Sequence, residues 1–239
     1  RIRSVSNTKQ ITKAMQLVAA SKMRRAQEAT KASAPYVSVA NELLKTLAAH
    51  GATDNHPLFV RRKVRKRLII FIAADKGLAG AYNTNVFKKY LALLNRDDER
   101  GIENLTVAVG RKAAQFASRL KDTTVVGTYE DLADRPSSID FHAILNQATS
   151  MYEHHEVDVV TLVYTNFMSS MTQTAEWMRL LPAGTDVASD PAEGSVSLEE
   201  AKYEPNAEEV LSAVAYRMVG AMVFQALLDA RASEHSMRM

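Results

Sequence analysis

The first 34 residues carry hydrophobic side chains at the spacing of a helix. These positions start at i, i+4 and i+7 and continue on a drifting, alanine-rich line: Ile11, Met15, Val18, Ala19, Met23, Ala26 and Ala29. No proline or glycine occurs before Pro35. The pattern predicts a long helix, kinked at Pro35 and resumed over 36–49, whose narrow face of small residues favours close packing against a second helix.

A second long helix is predicted at the other end of the chain. After Pro205, only Gly220 interrupts the helical pattern up to Met239, and Asn206 with Glu209 has the spacing of an N-cap pair. Each helix of about 34 residues would be about 50 Å long, whereas a compact globule of this size is only about 45 Å across. We therefore expect both helices to project from the globule as an antiparallel pair.

The pattern changes between the two helices. Short β-branched runs alternate with helical patterns, with strands at 67–75, 105–110, 124–129 and 157–167 and helices at 86–95, 111–120 and 139–152. This alternation predicts an α/β fold with a parallel, doubly wound sheet, to which residues 168–182 add one more strand. The predicted organisation is an N-terminal helix over 1–55, an α/β domain over 64–182, an acidic loop over 183–204 and a C-terminal helix over 205–239.

Composition and charge narrow the classes of function. The chain of 239 residues contains no cysteine, which excludes disulfides, thiolate chemistry and zinc ribbons. Its apolar runs, such as 68–74, fall short of the roughly 20 residues of a membrane span, so we expect a soluble chain. The net charge of +3 hides a local balance of +7 in residues 1–33 and +6 in 61–67, offset mainly by acids in 185–209. This asymmetry predicts an acidic partner for the N-terminal helix.

Short motifs leave two other classes of function open. The segment KGLAGAY (76–82) follows the first strand, as a phosphate loop does, but it has neither GxGxxG nor GxxxxGK spacing. This mismatch weakens the hypothesis of a nucleotide-dependent enzyme. The basic segment RRKVRKR (61–67) lacks the interleaved aromatic residues of a nucleic-acid site, which weakens the hypothesis of a nucleic-acid-binding protein. We predict a tight turn at Gly77 and Gly80, a solvated segment leading into the first strand, and no cofactor. The His154–His155 pair lacks a third metal ligand and is predicted to be a loop.

Five segments resemble the gamma subunit family of F-type ATP synthases in collinear order. They are RIRSVSNTKQITKAMQLVAASKMRRAQ (1–27), ADKGLAGAYNTNVF (74–87), VGRKAAQFA (109–117), VYTNFMSSMTQT (163–174) and the stretch from YEPNAEEVL to ALLDARASEHSMRM (203–239). The chain departs from the family at Lys9 and Gln10, where the order Gln-Lys is usual, and at Ala79, commonly a cysteine. The family's C-terminal helix continues beyond the last segment, so we expect a truncated shaft helix at Met239.

The resemblance implies a fold and a function. In the family, the terminal helices form an antiparallel coiled coil beside a Rossmann-like domain, and the subunit is a rotor shaft without bond chemistry of its own. The coiled coil enters the α3β3 hexamer and changes its three catalytic sites in turn, while the foot docks on the c ring. The implied partners are the α, β and epsilon subunits and the c ring, with no nucleic acid and only indirect membrane contact. The implied location is the cytoplasmic face of the bacterial plasma membrane, or alternatively the matrix side of the mitochondrial inner membrane.

The resemblance also implies interface residues. Those at the α3β3 hexamer are Lys9, Lys13, Lys22, Arg24, Arg25, Glu234, His235 and Arg238, and those at the c ring or foot are Lys76, Tyr82, Tyr203 and Glu204. The five basic residues of the N-terminal helix, called the basic stripe below, would attract acidic residues of each β subunit in turn without locking onto one. The alternative is a merely solvated helix face, because exposed charge pairs contribute little. Residues 233–236 are expected on the shaft surface, since consecutive helical positions face different sides and cannot form a catalytic triad.

Overall fold

The computed structural model describes residues 1–49, 56–121, 123–132, 138–184 and 206–239. In chain order, the described elements are α1 Ile2–Ala49, β1 Lys66–Ile72, α2 Tyr82–Asp98, β2 Glu103–Val109, α3 Arg111–Ala117, β3 Thr124–Tyr129, α4 Ser138–Glu153, β4 Val159–Phe167, β5 Gln173–Leu181 and α5 Ala207–Arg238. Most of the predicted acidic loop, together with Tyr203 and Glu204, lies outside the described residues.

The strands form one sheet in the order β3-β2-β1-β4-β5. β1 pairs in parallel with both β2 and β4, and β2 pairs in parallel with β3. β5 runs antiparallel to β4, so the predicted parallel sheet and its added strand are both confirmed. The order of the strands reverses between β1 and β4, and in doubly wound folds this switch point is where ligands bind, beyond the carboxyl ends of the strands.

Successive residues of β1 face opposite sides of the sheet and build two separate cores. Leu68, Ile70 and Ile72 belong to the core beneath α4 and α5. Ile69 and Phe71 belong to the core beneath α2 and α3. Because helices cover both faces, the strand is a continuous apolar run and does not alternate with polar residues.

Helix α5 lies between the sheet and α1. Val219, Val223 and Leu227 pack into the core on one face of the sheet, and α5 also packs along α1, where Ala19 and Ala26 are buried. The small alanine side chains let the two helices approach closely. The N-cap predicted at the start of α5 is confirmed, because Oδ1 of Asn206 accepts a hydrogen bond of 2.9 Å from the backbone N–H of Glu209.

The two terminal helices run in opposite directions. Residues 11–22 of α1 line a groove with His235 and Arg238 at the carboxyl end of α5. His56, which follows α1, lies near the amino end of α5, where the charge of Glu208 acts to raise its pKa. The predicted antiparallel pairing is therefore confirmed, and α1 continues past Pro35 as one helix. The prediction that both helices project is wrong for α5, because the sheet covers one of its faces.

Helix α5 is long and apolar enough, by length and composition, to cross a membrane over Glu208–Arg238, contrary to the expectation from apolar runs. Its most apolar window has a mean hydropathy of 1.5, and 44% of that window is buried inside the protein. Arg231 and Glu234 lie in the same helix and form ion pairs with protein groups. Burial against a sheet and internal ion pairs are typical of the core helix of a globular protein.

Candidate functional site

Helix α5 covers the carboxyl ends of β1 and β2, on one side of the switch point between β1 and β4. Leu227 and Ala230 of α5 pack beside Ile72 of β1 and Val109 of β2. The cavity between them has a volume of about 10 Å³, which is the space of one water molecule at most. Ligand cavities in proteins measure roughly 300 Å³ or more. The space beyond the carboxyl ends of β1 and β2 is thus filled by the protein's own helix.

The turns at this edge of the sheet are tight. After β1, Gly80 adopts φ +51° as predicted, but the second left-handed position is Leu78 at φ 58° and not Gly77. After β2, Gly110 adopts φ +95°, and a Cβ atom there would lie 2.1 Å from the carbonyl oxygen of Ala73. Backbone therefore packs directly on backbone between the ends of β1 and β2.

A buried carboxylate joins α5 to three loops at this edge. Asp75, which follows β1, is 8% exposed. Its Oδ1 accepts hydrogen bonds from the backbone N–H groups of Arg111 at 2.9 Å and Asp131 at 3.0 Å, and its Oδ2 accepts one from Nη2 of Arg231 at 2.8 Å. The same nitrogen donates to the carbonyl oxygen of Leu132 at 2.8 Å. The loops after β1, β2 and β3 are thereby tied to a single side chain of α5.

The charged contacts continue along the last turns of α5. Nη1 of Arg231 donates to Glu234 at 2.9 Å, and Glu234 also accepts a hydrogen bond from Arg238, which reaches the carbonyl oxygen of Gly77 at 3.4 Å. We call Asp75, Arg231, Glu234 and Arg238 the charge clamp. Burial alone would raise the pKa of Asp75, but the hydrogen bonds from Arg231 and the two backbone N–H groups hold it below its usual value. Burial would lower the pKa of Arg231, yet Glu234 and Asp75 raise it, so Arg231 and Asp75 stabilise each other as an ion pair.

The five residues of the basic stripe do not share one face of α1. At about 100° per residue, Lys9, Lys13 and Arg24 lie within about 60° of one another, on the side away from α5. Arg25 lies about 100° further round the helix, and Lys22 borders the face buried on α5. The side chains of these residues are exposed except for that of Lys22, which is half-buried. Positive charge is thus spread around α1 and does not follow a single line.

The α5 residues predicted at the hexamer interface are covered within the chain. Glu234 and His235 are each 3% exposed, and the side chain of Arg238 is 12% exposed. Ser236 is also buried, and its hydroxyl donates to a carbonyl oxygen of the β4–β5 turn at 2.7 Å. The expectation of an exposed shaft surface over 233–236 is wrong, because the β4–β5 turn and the loops at the sheet edge surround this part of α5.

Only part of the predicted foot lies within the described residues. Lys76 is exposed and lines the same groove as Arg238, at the carboxyl end of α5. The amino end of α5, at Ala207, is about 48 Å away along the 32 residues of the helix. Tyr203 and Glu204 lie outside the described residues, so their place beside the 76–83 turn stays a prediction.

Tyr82 belongs to the packing of the turn after β1. It is the first residue of α2, is 1% exposed, and packs with Ala74, Ala79 and Met237. Burial is the main cause that raises the pKa of its hydroxyl, with the nearby charge of Glu234 acting in the same direction. Its side chain is thus part of the contact between this turn and α5, and it offers no exposed surface to a partner.

An apolar groove of about 540 Å³ runs between α1 and the sheet edge. Its walls come from α1, the turn after β1 and the end of α5: Ile11, Ala14, Met15, Val18, Ala19, Lys22, Lys76, Gly77, Leu78, His235 and Arg238. Ile11 and Val18 remain 62% and 55% exposed. The apolar face predicted for α1 is therefore divided, with the alanine-rich part buried and the earlier part open to solvent.

Neither Asp75 nor Arg231 is among the residues predicted from the sequence. Asp75 directly follows the buried run of β1, and Arg231 stands between Ala230 and Ala232 in the apolar helix α5. A charged residue in such a place needs a partner, because an unpaired buried charge is costly. That requirement is the signal by which the sequence indicates a buried ion pair, although it does not say which acid meets which base.

The other motifs have structural roles. Within the described ranges, no group of three His, Cys, Asp or Glu side chains is placed to hold a metal ion. His154 and His155 follow α4 in a turn, where His155 adopts φ 61°, so the predicted loop is confirmed. The basic segment 61–67 leads into β1 as predicted, but its last residue, Arg67, is buried against Asp97 of α2.

Comparison with known proteins gives consistent matches over the whole chain. A family described as ATP synthase matches residues 1–239. The chain is 36% identical to the ATP synthase gamma chain of Xanthomonas campestris pv. campestris (strain B100) and 38% identical to that of Neisseria meningitidis serogroup A, and each match covers 100% of this chain and 82% of the relative. The fold resembles a chain of the central stalk and c-ring structure of Tetrahymena thermophila mitochondrial ATP synthase. That match has a TM-score of 0.65 and 23% identity and covers 95% of this chain and 96% of the other.

Proposed function

Because the chain belongs to the ATP synthase gamma chain family, we propose that it is the central rotor shaft of an F-type ATP synthase. In this role it turns with the c ring and changes the three catalytic β subunits in sequence, and it performs no bond chemistry itself. The observation that carries the proposal is the pair of long antiparallel helices, one of which is built into the core of the α/β domain. Such a body transmits rotation because the helices and the domain turn together.

The filled edge of the sheet supports a role without catalysis. Leu227 and Ala230 fill the space at the carboxyl ends of β1 and β2, and backbone groups that would face a phosphate donate instead to Asp75. A nucleotide-dependent enzyme would need α5 to leave this site. A nucleic-acid-binding role is disfavoured by Arg67, which is buried and paired inside the protein.

The proposed partners follow the two ends of the molecule. The exposed part of α1 enters the α3β3 hexamer with its basic residues, and Lys76 faces the same side, because it lines one groove with Lys22. The opposite end of α5, which begins at Ala207, lies toward the c ring and the epsilon subunit. The chain thus touches the membrane only through the c ring, on the cytoplasmic face of a bacterial plasma membrane or on the matrix side of the mitochondrial inner membrane.

The proposal is tested by reconstituting the chain with α3β3 and measuring ATP hydrolysis and rotation. We expect each of Lys9→Ala, Lys13→Ala and Arg24→Ala alone to lower turnover at most about two- to fivefold, since an exposed charge pair contributes roughly 0.2–1 kcal/mol. The three substitutions together should lower turnover further, because their losses add. Circular dichroism of the free chain should not change, because all three side chains are exposed.

The matched control replaces three exposed basic residues of the α/β domain, Lys88, Arg119 and Lys121, with alanine. It removes the same charge from the chain and should leave turnover unchanged. Equal turnover in both variants would mean that the charges on α1 are merely solvated. Failure of the unaltered chain to rotate in the hexamer would overturn the rotor function itself.

A further inference from the structure

We propose that the charge clamp fixes the angle of α5 about its own axis relative to the α/β domain, so that torque passes between this helix and the domain. We call this contact the torsional joint. The proposal rests on the rotor function proposed above. It assigns a mechanical role to Asp75, Arg231, Glu234 and Arg238, and it makes Arg231 the positioning residue at the centre of the joint.

The apolar contacts of α5 hold the helix on the sheet but do not fix its angle well. Val219, Val223, Ala226 and Leu227 press against the sheet through side chains without polar atoms. The free energy gained by hydrophobic contact is roughly proportional to the apolar area removed from water, and it has no preferred direction. A small turn of the helix about its axis exchanges such contacts for similar ones, so apolar packing alone gives a compliant joint.

The clamp supplies directional contacts. Hydrogen bonds between charged groups require a short distance and a favourable angle, and a forked guanidinium adds geometric specificity. Arg231 meets Asp75 and the carbonyl oxygen of Leu132 with one nitrogen at 2.8 Å each, and meets Glu234 with the other at 2.9 Å. Asp75 is itself held by the backbone of two further loops, so its position does not follow the helix.

A second set of contacts holds α5 from another side. The hydroxyl of Ser236 donates to the carbonyl oxygen of Ser170 at 2.7 Å, and Nε2 of Gln173 donates to that hydroxyl at 3.1 Å. Residues 231 and 236 lie about 140° apart around the helix. Rotation of α5 in either direction therefore lengthens at least one set of hydrogen bonds.

Burial makes these contacts costly to break. The side chains of Asp75, Arg231 and Glu234 are 8%, 11% and 4% exposed, so water replaces lost partners poorly. Breaking a buried pair by removing one partner leaves an uncompensated charge. The clamp also lies beside the groove shared with α1, at the end of α5 where torque from the hexamer would enter the domain.

The first measurement asks whether Arg231 holds the loops to α5 in the free chain. In Arg231→Met, hydrogen exchange of the backbone amides of Arg111 and Asp131 should become about 10- to 100-fold faster, since the carboxylate that accepts from them loses its charged partner. The control is Lys66→Met, which removes an exposed pair with Glu103 and should leave both amides unchanged. Arg231→Lys keeps the charge without the fork, and we expect an intermediate rate.

The second measurement is made in the complex reconstituted with α3β3. Because the chain has no cysteine, Lys88→Cys gives one attachment point for a marker on the α/β domain. With the hexamer stalled, the variance of the marker's angle should rise about twofold or more in Arg231→Met, because the charged contacts are the directional part of the joint. It should rise less in Arg231→Lys and not at all in Lys66→Met.

The outcomes separate the joint from the rotor function. If the unaltered chain rotates and Arg231→Met shows faster amide exchange but the same angular variance, the clamp is only structural and the joint is overturned. If the unaltered chain does not rotate at all, the rotor function fails, whatever the exchange rates are. If Arg231→Met does not fold, Arg231→Lys decides the question through the same two measurements.

Discussion

Replacing Gly110 with alanine is expected to destabilise the α/β domain severely. The residue adopts φ +95°, and a Cβ atom would lie 2.1 Å from the carbonyl oxygen and 2.9 Å from the carbonyl carbon of Ala73. Both neighbours are backbone atoms at the end of β1, so no side-chain movement relieves the overlap. The ends of β1 and β2 would have to separate, and the backbone hydrogen bond from Gly110 to the carbonyl oxygen of Tyr129 would be disturbed as well.

Two other glycines set the magnitude. Gly101 adopts φ +65° with nothing within 4 Å of a Cβ, so Gly101→Ala should cost only the left-handed backbone, about 1–2 kcal/mol. Gly77 has neither a positive φ nor a close neighbour, so Gly77→Ala should be neutral or stabilise by about 0.4–1 kcal/mol through the unfolded state. Gly110→Ala combines backbone strain with overlap and should exceed about 4 kcal/mol, which few substitutions reach.

The assay is unfolding followed by tryptophan fluorescence. Trp177 is the only tryptophan of the chain and lies half-buried in β5, so its emission reports on the α/β domain. For a chain of this size, about 1 kcal/mol shifts the melting temperature by about 2–4 °C. We expect the order Gly77→Ala, then Gly101→Ala, then Gly110→Ala from most to least stable. Equal losses for Gly101→Ala and Gly110→Ala would refute the reasoning, because they would show that the overlap is relieved at little cost.

Three further predictions concern polar groups. Asp97 is fully buried and accepts two hydrogen bonds from Arg67, so Arg67→Met should cost about 3–5 kcal/mol in urea unfolding. The double variant with Asp97→Leu should recover most of this loss, and no recovery would contradict a paired charge. Asn206→Ala removes the cap of α5 and should cost about 0.5–2 kcal/mol, with a loss of helical signal. The pKa of Asp75 lies below its usual 3.8, so its stabilisation is complete above that pH and is lost as the pH falls through the lower, folded value. Below about pH 4 the melting temperature should therefore fall more steeply than in Asp75→Asn, and parallel curves would count against the ion pair.

The elements could be predicted because their signals are local. The β-branched runs of β1 and β4 and the cap pair at Asn206 act within a few residues, so their positions agree with the structure to within a few residues. The place of α5 is a tertiary property. An apolar helix of this length fits both a projecting coiled coil and a core helix, and only the uncovered face of the sheet decides between them.

The site was harder to predict for the same reason. Lys76 and Tyr82 lie six residues apart in one turn, yet one is exposed on the groove and the other is buried against α5. Their environments depend on the direction in which α5 crosses the sheet, which residues far along the chain determine. The pairing of Asp75 with Arg231 spans 156 positions and has no local signal beyond the need of each charge for a partner.

The role of Asp75 also explains how a fold of this class can hold a shaft. In doubly wound enzymes, backbone N–H groups at the carboxyl edge of the sheet point toward an anionic ligand. Here the N–H groups of Arg111 and Asp131 point toward the carboxylate of Asp75, which is part of the chain itself. The second oxygen of that carboxylate then binds the guanidinium of Arg231. The carboxylate of Asp75 thus takes the place of an anionic ligand and binds α5 through Arg231. The edge of the sheet that binds nucleotides in enzymes therefore binds a helix of the same chain here.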